Sequence, residues 1–383
     1  MIMLDTQCFS KEALRLDPEK EAARICGSLR EIMLTQLKKR GVVIGLSGGI
    51  DSSVTAALAV KALGGERVLG LEMPERHSAE ETLRFSGMAA DSLGIRTIRE
   101  DISGILEAVD FYKRYDATVR TVIPEYGDGW KSKMVTSNVM EGRGFSIFSI
   151  VAQGPDNATI KKRLPFKSYL EIVAATNFKQ RIRKMLEYYH ADRLNYGVAG
   201  TPNLLEFDQG FFVKLGDGAA DVKPIAHLYK SQVYQLAEYL GVPEEIRKRK
   251  PTTDTYSLAQ GQDEFYFSLP YDMMDLCLFG KNNHVPAERV AHALGLETAQ
   301  VGMVFEDIDL KRSTTRYLHL PPLLVENMTL ETAQITTQAV ENLRRRPVCK
   351  AQASEEAGRA PDVGAIHELP LQSERQHRRP APQ

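Results

Sequence analysis

A doubly wound, mostly parallel α/β sheet with helices on both faces is the fold class this sequence predicts, and three observations carry it. Short apolar, β-branched runs at Gly41–Leu46 and Arg67–Met73 read as buried parallel strands. Each is followed by a helical pattern, Ser53–Gly64 after the first and Ser78–Gly94 after the second. The same alternation returns after residue 168, with a long helix, a strand at Asn195–Thr201 and a helix at Ser231–Gly241. Strand and helix in that rhythm are what crossover connections require.

Taken in order, residues 11–40 read as one helix, with Ala22, Ile25, Leu29, Ile32 and Leu37 near a 3.6-residue period. Gly64 and Gly65 close the helix after the first strand. Ser78 and Glu81 have the spacing of a capping box and open the next helix. Residues 108–168 break the rhythm. Phe111, Tyr112, Tyr115, Tyr126, Trp130, Phe145 and Phe148 suit an insertion with a packed core of its own rather than an open loop. The main domain is expected to span 1–325, with a C-terminal helix or extension at 326–346. Residues 347–383 hold five prolines and no aromatic residue, and are expected to form a disordered tail.

Composition narrows the function classes. Lys plus Arg number 49 against 50 Asp plus Glu, so no general charge excess favours nucleic acid or anionic membrane. No apolar run approaches the 18 residues of a membrane span, and the N-terminus lacks the pattern of a secretory signal. Cys8, Cys26, Cys277 and Cys349 form neither a disulfide framework nor a metal-binding pair. A cytoplasmic protein is expected, without nucleic-acid or membrane partners.

The chemistry concentrates at Gly45–Leu46–Ser47–Gly48–Gly49–Ile50–Asp51–Ser52–Ser53, between a strand and a helix. Glycines let the backbone approach an anion, serine hydroxyls donate, and the helix N-terminus adds unpaired N–H groups. Asp51 cannot favour phosphate by itself, so its natural role is to hold a magnesium ion that does. His190, His227 and His284 match no metal spacing and read as structural, Phe211 and Phe212 as core. Trp130 reads as packed within the insertion rather than stacked on a base.

This SGGxDS loop resembles that of the N-type ATP pyrophosphatases. The blocks NFKQRIRKMLEYY, GTPNLLEFDQGFFVKLGDGAADVKPIAHLYK, KPTTDT and QDEFYFSLPYDMMD make the chain similar to NAD synthetases over about residues 20–105 and 170–312. The resemblance implies an adenine nucleotide α-hydrolase-like fold and a ligase that amidates deamido-NAD through an acyl-adenylate, using ATP, ammonia and Mg2+. Position by position it implies Asp51 and Glu206 as magnesium ligands. Residues 45–53, Thr201, Lys230 and Thr252 would bind ATP. Asn177, Arg181, Lys214, Asp221 and Lys311 would hold deamido-NAD, with Asp51, Lys230 and Asp221 as the catalytic set. For Arg181 and Arg183 the plainer alternative is a solvated pair with Glu187 on the same helix. A homodimer is implied, with substrate at the subunit interface, and a separate amidotransferase could deliver ammonia.

The chain departs from the family pattern at Val213, at Leu310 and in the length of the 108–168 insertion. These lie on the acceptor side. Two other functions therefore stand beside the first: the same adenylating chemistry on a different carboxylate, and a nucleotide-binding regulator without catalysis.

Overall fold

The computed structural model describes residues 9–136, 148–249, 251, 255–258, 261, 266 and 269–325. Its central sheet is parallel, with strands β1 (Val42–Gly45), β2 (Val68–Glu72), β3 (Arg96–Arg99) and β7 (Gly197–Val198) in the order β3-β2-β1-β7. β1 and β2 are buried on both faces, and successive side chains turn to opposite cores. Val42 and Ile44 face one core and Val43 the other, while Leu69 and Leu71 share the face of Val43. On the first face lie α1 (Pro18–Glu31), α2 (Ile50–Leu63), α3 (Glu80–Leu93), α8 (Lys230–Tyr239) and α9 (Glu244–Lys248). On the second lie α4 (Ser103–Ala108), α5 (Phe111–Arg120) and the 29-residue α6 (Phe166–Leu194). The doubly wound reading holds.

A third cluster joins the turn at Lys11–Leu14 to α7 (Leu204–Gln209), α10 (Tyr271–Asn282), α11 (Ala287–Leu294) and α12 (Thr298–His319). The insertion is a folded element, as its aromatic content implied. It comprises α5 and an antiparallel sheet of β4 (Lys131–Thr136), β5 (Phe148–Gln153) and β6 (Thr159–Arg163). Phe111, Tyr112, Tyr115, Tyr126, Met134 and Ile150 are buried together against α6. Trp130 packs at the edge of this cluster, 6.1 Å from the Tyr126 ring.

Three local expectations are corrected. The helix expected over 11–40 is broken: Pro18 forces Asp17 out of helical conformation, and the Asp17 carboxylate caps α1 by accepting the Lys20 N–H. The last turn, Ile32–Gln36, is a π-turn. No capping box forms at Ser78 and Glu81. The cap of α3 is Ala79, and the Ser78 hydroxyl accepts the Glu75 N–H instead. The strand expected at Asn195–Thr201 is ladder-paired only at Gly197 and Val198, with one further bridge from Ala199 to Val222. One compact unit ends at Pro322. The extension at 326–346 and the tail at 347–383 lie outside the described residues.

Candidate active site

The strand order reverses at β1, with β2 on one side and β7 on the other. A crevice opens at the carboxyl ends of such strands, and the loop Ser47–Gly49 sits there. Gly48 has φ +66°, and a side-chain carbon on it would stand 2.7 Å from Phe85 Cβ and 2.8 Å from the Thr82 carbonyl oxygen. Only glycine fits that position. Gly49 caps α2, and the hydroxyls of Ser52 and Ser53 donate to its carbonyl at 3.0 and 2.9 Å. The Ser47 hydroxyl lies 3.1 Å from that of Ser52 and accepts the Gly49 N–H at 3.3 Å.

The loop opens into a cavity of about 450 Å3. Its polar floor is built where α2, α7 and α8 begin, from Asp51, Glu206 and Lys230. Asn203 ties these together. Its carbonyl oxygen accepts the Glu206 N–H and the Glu206 carboxylate accepts the Asn203 N–H, a reciprocal cap, while its amide donates to Asp51 Oδ1 at 3.1 Å. Lys230 Nζ, buried, pairs with Asp51 Oδ2. Burial opposes its charge, yet Asp51 and Glu206 together hold the ammonium above the usual lysine range. Burial, then the Asp51 charge, push Glu206 well above the usual carboxylate range.

Lys230 is itself held from behind. Asp275, buried on α10, accepts the N–H groups of Lys230 at 3.2 Å and Ser231 at 2.6 Å. These are the first two donors of α8, so a carboxylate from another helix caps the one that carries the lysine.

Two carboxylates with a surplus of negative charge fit a hard divalent cation. Among the described residues no group of three or more His, Cys, Asp or Glu could enclose a metal. The remaining coordination would fall to phosphate oxygens and water, as magnesium prefers.

The opposite wall is α6, which contributes Tyr169, Val173, Thr176, Asn177, Gln180, Arg183 and Glu187. Arg183 Nε donates to the Met73 carbonyl at 3.2 Å. Glu187 is buried and pairs with Lys184 at 2.6 Å, so the solvated pair with Arg181 or Arg183 is not what forms. Burial raises Glu187 despite Lys184, and raises Asp217 across the cavity. Gly45 gives Glu187 room: a side-chain carbon there would lie 3.0 Å from Glu187 Oε1.

Of the sequence-predicted residues, Gly45, Leu46, Ser47, Gly49, Ile50, Asp51, Asn177, Glu206 and Lys230 line this one cavity. Gly48, Ser52 and Ser53 shape the loop from behind. Thr201 stands beside Pro202, which lines the cavity, and Thr252 lies outside the described residues. The other acceptor-side residues are elsewhere. Arg181 is exposed, its Nε 3.4 Å from the Lys214 carbonyl. The Lys214 ammonium donates to the carbonyls of Tyr317 and Leu320 at the end of α12. Asp221 accepts the Val198 N–H at 2.7 Å. Lys311 pairs with Asp307 at 2.6 Å behind Tyr266.

Phe211 and Phe212, expected in the core, line the cavity instead, with Phe211 stacked on Tyr266. His190 is structural as expected, between Glu100 and Arg193.

The family model for NAD synthase matches residues 21–139 and 128–315. The chain belongs to the NAD synthase family. An NH3-dependent NAD(+) synthetase of Rhizobium meliloti is 59% identical over 318 residues, which cover 83% of this chain and 95% of that one. Another, of Mesorhizobium japonicum, is 57% identical over 311 residues, 81% of this chain and 98% of its own length. The solved NH3-dependent NAD synthetase of Campylobacter jejuni, in complex with nitrate, shares the family fold. It superposes with a TM-score of 0.54 at 23% identity, over 81% of this chain and all of that one.

Proposed function

We propose that this chain is an ammonia-dependent NAD synthetase, a ligase that forms a carbon–nitrogen bond at the expense of ATP. The observation that carries the mechanism is one cavity joining the phosphate loop, the Asp51–Lys230–Glu206 floor and the Asn177–Arg183 side of α6. A carboxylate is a poor electrophile because its leaving group would be oxide. The nicotinate carboxylate of deamido-NAD attacks the α-phosphorus of ATP, pyrophosphate leaves, and an acyl-adenylate forms. Ammonia then attacks the carbonyl, and AMP departs to leave the amide.

The residues do this by position and charge. The loop backbone and the Ser47 hydroxyl hold the phosphates. Lys230, fixed at the start of α8, neutralises charge as pyrophosphate departs. Asp51 and Glu206 would hold Mg2+, which when bound offsets the charge of the triphosphate. Release of pyrophosphate with and without deamido-NAD, repeated over other carboxylates, tests the reading and its rival. Strong release with another acid and none with deamido-NAD would replace it by the related-ligase reading.

The nitrogen source follows from the cysteines as well as the family. Cys26 and Cys277 are buried, and burial pushes the Cys277 thiol up to about 12, so neither is a ready nucleophile for glutamine hydrolysis. Cys8 and Cys349 lie outside the described residues. Amide formation should depend on free ammonia and fall with pH as ammonium replaces it. Efficient glutamine-dependent synthesis by the purified chain would overturn this.

A homodimer is part of the proposal. Phe166, Leu170, Met185 and Tyr189 lie exposed along one side of α6, with Arg181 among them. A helix does not keep four large apolar side chains in water without a partner. A second copy seated there would put the acceptor site at a subunit interface, near Arg181, Lys214 and Asp221. None of the helices among the described residues is long and apolar enough to cross a membrane, in keeping with a cytoplasmic enzyme.

A further inference from the structure

The insertion is not an ornament at the edge of the fold. Met134 of β4 and Phe148 of β5 line the nucleotide cavity, and β4 is an edge strand of its sheet. The free edge of β4 is taken by the segment Thr255–Leu258. The Ser132 N–H donates to Ser257 Oγ at 2.9 Å, and the Leu258 N–H donates to the Ser132 carbonyl at 3.1 Å. Ser132 cannot drift, because it is fully buried and its hydroxyl lies 2.9 Å from Tyr115 Oη and 3.1 Å from Tyr126 Oη. Tyr256 sinks into the same cluster, 6.4 Å from the Tyr115 ring.

From the other side, buried Lys179 of α6 donates to the Thr255 carbonyl at 2.9 Å and to Glu75 Oε1 at 2.8 Å, and Tyr112 of the insertion donates to Glu75 Oε2 at 2.9 Å. The segment is therefore gripped at four successive residues, each grip reaching back to α5 or β4. Thr255 and Tyr256, the residues so held, form part of the cavity wall together with Ser47 and Asp51.

We propose that the 108–168 insertion is a positioning element for the nucleotide: the Ser132 edge of β4, braced by Tyr115 and Tyr126, fixes Thr255 and Tyr256 against bound ATP. This rests on the cavity being an ATP site and deepens that reading. It assigns the insertion to the ATP half of the reaction, although its length is what sets the chain apart on the acceptor side.

The test is Ser257→Ala, which removes one clamp bond away from the cavity wall, with Ser257→Thr as the variant that keeps the hydroxyl. Loss of a neutral hydrogen bond that orders a binding wall should weaken ATP by about 3- to 10-fold. The KM for ATP should rise by that factor in Ser257→Ala and return to within twofold in Ser257→Thr, while the KM for deamido-NAD stays unchanged. The double variant Tyr115→Phe/Tyr126→Phe, which loosens Ser132 from within the insertion, should move ATP in the same direction. Dissociation constants for a non-hydrolysable ATP analogue are measured in parallel. They test the clamp even if the native chain forms no amide from deamido-NAD, an outcome that would sink the functional reading alone. An unchanged analogue affinity in both Ser257→Ala and the tyrosine pair overturns the proposal. So does an equal loss for ATP and acceptor, since that is the mark of general loosening.

Discussion

The two ends of the reaction are built differently. On the proposed ATP side, Ser47, Asp51, Glu206 and Lys230 of one chain line a common cavity, braced by Asn203 and Asp275. On the acceptor side, Asn177 alone of the five named residues reaches that cavity, and Arg181, Lys214, Asp221 and Lys311 are engaged elsewhere. A phosphate site can be made from contiguous backbone and helix ends. A site for a large dinucleotide needs surfaces drawn from distant segments, and the exposed side of α6 is the one proposed for it.

The largest effect should come from the ATP side. Asp51→Asn or Glu206→Gln removes a carboxylate proposed to hold Mg2+, and pyrophosphate release should fall by about a thousandfold or more with the fold intact by circular dichroism. Near-native release from either variant would break the contrast at its stronger end. Next comes Asp275→Asn, which touches no substrate. The two N–H groups bond to different oxygens of the carboxylate, and an amide replaces one of those oxygens by an NH2 donor, so α8 loses part of its cap and Lys230 its placement. A drop in kcat of about 10- to 100-fold is expected, with a smaller change in KM for ATP. Unaltered kcat would show that Asp51 alone holds the lysine.

The acceptor side is sharpened by Met185→Glu on the exposed side of α6. A charge there should split the proposed dimer in light scattering and raise the KM for deamido-NAD by about tenfold, while ATP-analogue affinity stays within twofold. Loss of ATP binding in step with the acceptor would mean that the two sides are one site.

The last effect is on stability rather than on turnover. Burial raises Asp275 from an ordinary 3.8 to about 6. The folded state therefore holds this proton between those pH values while the unfolded state releases it. The contribution is full below about pH 4 and is lost as pH rises to 6, by about 3 kcal/mol at most. Asp275→Asn lacks that loss, so its melting temperature relative to the native chain should climb between pH 4 and 6. A constant offset across that range would refute it.

What the sequence discloses follows the same division. The phosphate loop is legible because its geometry resides in adjacent residues, down to the left-handed Gly48. Glu206 also has a local signal, the Asn-x-x-Glu spacing from Asn203, although the expectation for it came from resemblance and Asn203 went unremarked. Arg183, Glu187 and Asp275 were not placed in the site, because α6 is apolar on two sides and nothing local says which side turns inward. Asp275 acts on a helix 45 residues away, a relation only packing creates. The break before α1 was readable from Asp17–Pro18 and was overridden by a longer periodic pattern. Phe211 and Phe212 show the converse error, since aromatic residues line a nucleotide cavity as readily as they fill a core.

The close fit between Gly45 and Glu187 has a consequence for substitution at the strand end. The strand end is bare because a carboxylate from α6 occupies the space a methyl group would need. A side-chain carbon at 45 would make Glu187 give by a few tenths of an ångström, although the two stand 142 residues apart in the chain. An alanine at 45 would therefore press on the buried Lys184–Glu187 pair, whereas a shorter acid at 187 would leave Gly45 untouched.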